Sequence, residues 1–175
     1  MRNPSVRRMV LTGMLFALAI VLSFIESMVT PLLGLPPGIK LGLANVVVMY
    51  ALYFLSGRQA LLLVALKGGA SFFRGAVSGI LSLSGSLLSF LVMYLLLRLF
   101  KQRPSVFVVS VAGAVAHNLG QFVAVRFLLG PSFWVYAPVL LVSGIVMGCL
   151  TAVTLRVLLP ALRHAGLAKH DKGEG

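Results

Sequence analysis

Residues 80–100 read ILSLSGSLLSFLVMYLLLRLF, twenty-one positions in which Arg98 is the one charged side chain. At 1.5 Å of rise per residue, such a run makes a helix about 31 Å long, which matches a hydrocarbon core of roughly 30 Å. It is read as a transmembrane span, stopped by Lys101-Gln102-Arg103-Pro104. Within it, Ser82, Gly85, Ser86, Ser89 and Met93 fall on one stripe, which suits helix packing more often than ligand contact.

Similar runs lie on either side. Toward the C-terminus, residues 106–129 end at Gly130-Pro131, and residues 133–159 precede Pro160. Toward the N-terminus, residues 60–73 are separated from residues 80–100 by a loop from Arg74-Gly75 to Gly79. A tight turn, Ser56-Gly57-Arg58-Gln59, leads back to a run over residues 40–55. The first run, residues 9–28, ends before Thr30-Pro31-Leu32-Leu33-Gly34-Leu35-Pro36-Pro37-Gly38, which cannot continue a helix. The expectation is an all-α integral membrane protein: one six-helix transmembrane domain over residues 1–160, then a polar tail over 161–175 expected to be disordered.

Composition agrees. The chain of 175 residues is 59% hydrophobic and 10% charged, with a mean hydropathy of +1.05, and no soluble domain could place such a composition on its surface. A net charge of +12 would suggest nucleic acid in a soluble protein. Here the basic residues sit mainly at span ends, where they oppose translocation and meet anionic headgroups, so the bilayer is the expected partner and nucleic acid is not. With six spans, eleven basic residues, among them Arg2, Arg7, Arg8, Arg58, Arg98 and Arg156, share one side; Lys40, Lys67, Arg74 and Arg126 fall on the other side or within spans. That asymmetry places both termini in the cytoplasm, in a bacterial cytoplasmic membrane. Arg2, Arg7 and Arg8 ahead of an apolar run also resemble a signal peptide, but the run lacks a convincing small-residue cleavage site and is read as the first span. Cys149 is the only cysteine, which rules out an intrachain disulfide and a cysteine-based metal site.

An ionisable group inside a bilayer costs about 2.5–3.5 kcal/mol on insertion scales, so each one asks for a reason. Lys67, Ser71 and Arg74 share a helix face, beside Gly68, Gly69 and Gly75. That cationic face reads either as the anion-accepting wall of a pocket or, for Arg74, as snorkelling to headgroups. Glu26 is the only acid in any span, with Ser23 three residues before it. Lys40 is its expected partner in an ion pair; proton coupling or ligand contact is the alternative. On the fifth run, Gly113, His117, Gly120 and Gln121 form a stripe with Asn118 at its edge, fit for hydrogen bonding between helices or for substrate contact. A lone His is a poor metal site. Gly13-x-x-x-Ala17 and Gly144-x-x-x-Gly148 are small-residue patterns suited to close helix crossing, within the chain or with a partner. No glycine-rich phosphate loop is present, so the chain is not expected to hydrolyse ATP itself.

Several of these segments together carry a resemblance: Ile25-Glu26-Ser27, then Pro37-Gly38-Ile39-Lys40-Leu41-Gly42-Leu43-Ala44-Asn45, the Ser82 to Met93 stripe, and Gly113-Ala114-Val115-Ala116-His117-Asn118-Leu119-Gly120-Gln121. In this order, over roughly residues 10–159, they resemble the Gx transporter family, also labelled heptaprenyl diphosphate synthase component I. That family looks like the substrate-binding S components of energy-coupling-factor transporters. The resemblance implies a small-molecule substrate, an ATP-driven coupling module on separate subunits, docking through Gly13 and Ala17, and a cap over the substrate from the connection after the first span. The label keeps open a second role, as a membrane subunit linked to isoprenoid quinone or flavin electron transfer. Autonomous prenyl diphosphate synthesis is not expected, because that chemistry needs clustered Asp around Mg²⁺ and two of the three acids lie in the tail.

The leading expectation is therefore a substrate-binding membrane subunit for a small anionic or amphipathic molecule, with no resident cofactor or metal. Glu26, Lys40, Asn45, Lys67, Arg74, His117, Asn118 and Gln121 would line or support its pocket. Lys67 and Arg74 lie outside the family motifs and rest on physics alone.

Overall fold

The computed structural model describes residues 4–34, 40, 42–100, 104–130 and 137–164. Six helices follow one another: α1 (Pro4–Val29), α2 (Asn45–Phe54), α3 (Gly57–Phe72), α4 (Ala76–Leu99), α5 (Val106–Leu129) and α6 (Ala137–His164), and the described residues include no strand. Helix ends follow from local chemistry. Pro4 opens α1, where its missing N–H costs nothing. A 3-10 turn over Thr30–Leu33 closes at Gly34 with φ 69°. The Ser56 side chain caps α3 by accepting from the Gln59 amide at 3.3 Å, and Ser105 caps α5 from Val108 at the same distance. Gly75, at φ 121°, makes the sharp turn into α4 that a side chain would strain.

Four spans, Arg8–Leu32, Ala76–Leu99, Val106–Leu128 and Ala137–Arg156, are long and apolar enough to cross a membrane. Their outward faces are apolar: Met14 and Val142 are each 60% exposed, which suits a chain whose solvent is lipid. The protein is thus a multi-pass membrane protein. The second and third expected spans differ from this pattern. With 16 residues, α3 is about 24 Å long. With ten, α2 is about 15 Å long and covers half a bilayer core. Lys40 to Ala44, read in the sequence as the start of the second span, is not helical where described; it turns at Gly42 with φ 96° and leads buried backbone into the bundle.

Two other boundaries move. The loop expected from Arg74 to Gly79 shrinks to Phe73–Gly75, and Gly79 sits within α4, where a Cβ would overlap the Phe72 ring. Helix α6 runs through Pro160 to His164 instead of ending before it; proline already has a helical φ, and the helix continues despite the lost backbone hydrogen bond and the crowding of the ring against the preceding turn. The rest of the expected polar tail, 165–175, lies outside the described residues.

The packing is a chain of neighbours, α1 on α3, α3 on α4, α4 on α5 and α5 on α6, while α2 touches all five other helices. Being short and central, α2 supplies much of the core: Val47, Val48, Met49, Tyr50 and Ala51 are buried against Ala19, Ala60, Leu63, Val64, Met93, Val109 and Leu155. A second cluster, Leu81, Val125, Leu140 and Met147, joins α4, α5 and α6. Helices α4 and α5 cross closely, and a Cβ on Gly120 would lie 2.7 Å from the Ser84 carbonyl oxygen and 2.9 Å from Gly85 Cα. Gly148 similarly admits Val111 Cα of α5 to within 2.6 Å of where its own Cβ would be, so the Gly144-x-x-x-Gly148 pattern is spent on the α5–α6 crossing.

Because backbone cannot yield at the Gly120 crossing, Gly120→Val is expected to destabilise the fold by roughly 1–3 kcal/mol. Gly13→Ala, with no atom within 4 Å of the new methyl, is expected to hold stability or raise it by up to about 1 kcal/mol through helix propensity. Thermal unfolding in mild detergent distinguishes the two.

Candidate functional site

Seven of the eight residues singled out in the sequence converge on one buried polar cluster. It sits at the end of the bundle where α1, α2, α3, α4 and α5 meet the connection that enters α2. Glu26, 1% exposed on α1, accepts hydrogen bonds from the backbone amides of Gly42 and Leu43, the latter at 2.9 Å. The sharp turn at Gly42 aims both N–H groups at the carboxylate. A charged acceptor for buried amides is among the stronger ways of satisfying a backbone that has left a helix.

Lys40 is not bonded to Glu26, the partner expected for it. Its ammonium donates to Ser71 Oγ of α3 at 2.8 Å, because the chain reversal that brings the amides of residues 42 and 43 to Glu26 sends the Lys40 side chain toward α3. Its backbone is held separately. The Lys40 amide donates to Gln121 Oε1 at 2.9 Å, and Gln121 Nε2 donates to the Lys40 carbonyl at 3.2 Å, so an α5 side chain pairs with this backbone as a neighbouring strand would. Since that pairing fixes which end of the amide is nitrogen, the 2.6 Å contact between Gln121 Nε2 and His117 Nε2 makes the imidazole nitrogen the acceptor. His117 and Gln121 are both fully buried.

Lys67, on α3, is 2% exposed and donates to Asn45 Oδ1 at 3.0 Å, tying α3 to the first residue of α2. One helical turn later Ser71 acts as a hub: its oxygen receives Lys40 Nζ and, at 3.0 Å, a guanidinium nitrogen of Arg74, and it lies 3.0 Å from Ser82 Oγ of α4. Arg74 is exposed but reaches back across α1, donating to the Ser23 carbonyl at 3.0 Å and to Ser23 Oγ at 3.1 Å. Its guanidinium is thus fixed at the edge of the cluster, a tighter arrangement than free snorkelling.

Asn118 does not join them. One position from His117, it turns about 100° around α5 and donates to the Leu140 carbonyl at 2.6 Å and to Ser143 Oγ at 3.1 Å, bonding α5 to α6. Sequence reading placed Ser23 and Ser71 on the correct faces, three residues before Glu26 and four after Lys67, but did not count them as site residues. It could not find the amides of Gly42 and Leu43, since backbone groups carry no sequence signal.

The charge pattern decides what the cluster can do. Three basic side chains, Lys40, Lys67 and Arg74, share the site with one acid, and each of the three is bonded to neutral oxygen: Ser71, Asn45, and Ser23 with Ser71. The one carboxylate is committed to backbone amides. An anionic acceptor adds charge-charge attraction that the neutral oxygens of serine and asparagine lack, so these three donors are arranged as an anion would need them.

Glu26→Leu leaves two buried amides without an acceptor beside unbalanced cations and is expected to cost about 3–5 kcal/mol. Glu26→Gln keeps an acceptor oxygen and is expected to cost less. Chemical unfolding in detergent, followed by helical circular dichroism, measures both.

Compared with known proteins, no curated protein and no solved structure matches this chain. The family model described as heptaprenyl diphosphate synthase component I does match, over residues 15–158, from the first helix into the last. That span takes in every residue of the buried cluster, and the chain belongs to the heptaprenyl diphosphate synthase component I family.

Proposed function

We propose that the protein is a substrate-binding membrane subunit for uptake of a small anion or anionic amphiphile, working with separate energising subunits in the manner of an energy-coupling-factor S component. The observation that carries this reading is a set of three cations bonded to neutral partners, with Lys40 and Lys67 buried inside the helical bundle and Arg74 exposed at its edge. Burying positive charge in excess of negative is costly without an anion to share the donors, and a substrate is the anion this site is built to accept. In this reading all six helices traverse the membrane region, with α2 completed by the connection from Lys40, and both termini face the cytoplasm of a bacterial cell. The end carrying Arg58 and Arg98 faces the cytoplasm and the cluster faces outward, which suits capture from outside. The chain performs no prenyl transfer by itself and holds no cofactor or metal.

Helix α1 supplies the docking face for an ATP-driven coupling module. Gly13 and Ala17 are exposed on it, and nothing lies within 4 Å of a Cβ at Gly13. A second reading draws on the family's description, since a component I implies other components. The chain would then anchor partners of an isoprenoid quinone or flavin system and transport nothing.

Native mass spectrometry of the protein in mild detergent, with extraction of whatever copurifies, separates the readings. A stoichiometric anion whose occupancy falls at least tenfold in Lys67→Gln and Arg74→Gln, both still folded, is the expected result. Unchanged occupancy in both variants would sink the anion site. Quinone or flavin absorbance in the extract would instead favour the second reading.

A further inference from the structure

At the opposite end of α2, α3 and α4 from the buried cluster lies a half-open cleft of about 250 Å³, lined by Leu52, Tyr53, Gly57, Tyr94, Leu97 and Arg98. Nothing in the proposed uptake function uses it. Among the described residues that line it, the one charge is the exposed Arg98 guanidinium, held over the Tyr94 ring at 5.4 Å from the centroid, with Nε donating to the Tyr94 hydroxyl at 3.2 Å. Tyr94 is itself fixed, stacked on Phe90 at 5.7 Å and pressed against Gly57, where a Cβ would lie 2.9 Å from the ring. The guanidinium is therefore positioned through Nε and its π face, and among the described residues its two terminal nitrogens have no hydrogen-bond acceptor.

Those two nitrogens form the fork that matches two oxygens of a phosphate. Glu26, the only acid among the described residues, is in the cluster at the other end, so among the described residues no carboxylate competes for them. Leu52 and Leu97 give the cleft apolar wall, and the tyrosines supply amphipathic surface suited to the depth of a membrane interface. A volume of 250 Å³ falls below the roughly 300–1,000 Å³ of sites that enclose a drug-sized molecule, which fits a headgroup better than a whole cofactor.

We propose that this cleft binds the phosphate group of an amphiphile, with the Arg98 fork on the phosphate oxygens and Leu52 and Leu97 against the first carbons of the attached chain. The site is independent of the buried cluster. Two sources share this chemistry: an anionic lipid of the adjoining leaflet, or a phosphate compound arriving from water.

The test uses the full chain in two arms. Phosphatidylglycerol retained after reconstitution in mixed phosphatidylglycerol–phosphatidylcholine nanodiscs is counted by native mass spectrometry, and stabilisation by inorganic phosphate is followed by thermal unfolding in uncharged detergent. Arg98→Gln is expected to lower retained phosphatidylglycerol roughly tenfold, as loss of a charge-assisted pair implies. Arg98→Lys is expected to keep part of the binding, and Arg58→Gln, next to the cleft but outside it, all of it. Arg98 dependence in the lipid arm identifies a lipid headgroup, and Arg98 dependence in the phosphate arm alone identifies a soluble phosphate; either supports the site. The proposal is overturned if neither arm depends on Arg98, or if Arg58→Gln lowers binding as much as Arg98→Gln does, because diffuse surface charge then explains the affinity.

Discussion

The hydrogen bonds from the amides of Gly42 and Leu43 to the Glu26 carboxylate hold the arrangement together. Inside a membrane protein, backbone that is not helical has no water to fall back on and must find its partners in side chains. Lys40 and Gly42 to Ala44, ahead of α2, are such backbone. Glu26 takes two of its amides, and Gln121 takes both the amide and the carbonyl of Lys40. With those four groups satisfied, the chain can enter the bundle unwound and begin its helix only at Asn45.

The other features follow from that entry. A helix that starts late is short, and a short helix that starts inside the bundle can be surrounded on all sides, which is why α2 touches every other helix and supplies the centre of the apolar core. The carboxylate that holds the connection also offsets part of the charge of the buried Lys40 and Lys67. It is spent on amides, however, and leaves the three cations to serine and asparagine. The fastening of the backbone and the proposed binding of an anion thus draw on one cluster. The residue that fastens the backbone is the reason the cations remain available.

Burial separates neighbours that look alike in sequence. His117 and Asn118 are adjacent and both polar, yet one faces the connection and the other α6. Gly13-x-x-x-Ala17 and Gly144-x-x-x-Gly148 are the same kind of pattern; Gly148 is closed against Val111, while Gly13 has nothing near it. A small-residue pattern states that a close approach is possible, and only the positions of the other helices state whether it has been used.

Hydropathy alone determined that this chain belongs in a bilayer, because runs of about twenty apolar residues have no other stable solvent. The positions of Pro, Gly and Ser set most helix ends within a few residues, since those signals act over one turn. The rarity of charge inside the spans picked out Glu26, Lys40, Lys67 and Arg74 in advance, as each is expensive there. What the tertiary structure decided was partnership. Lys40 bonds to Ser71 across thirty-one positions and to Gln121 across eighty-one, Glu26 bonds to backbone, and the expected second span gives way to an unwound entry. Contacts between positions so far apart depend on how six helices settle against one another, and the backbone amides that replaced the expected ion pair are present at every residue, so no local pattern could single them out.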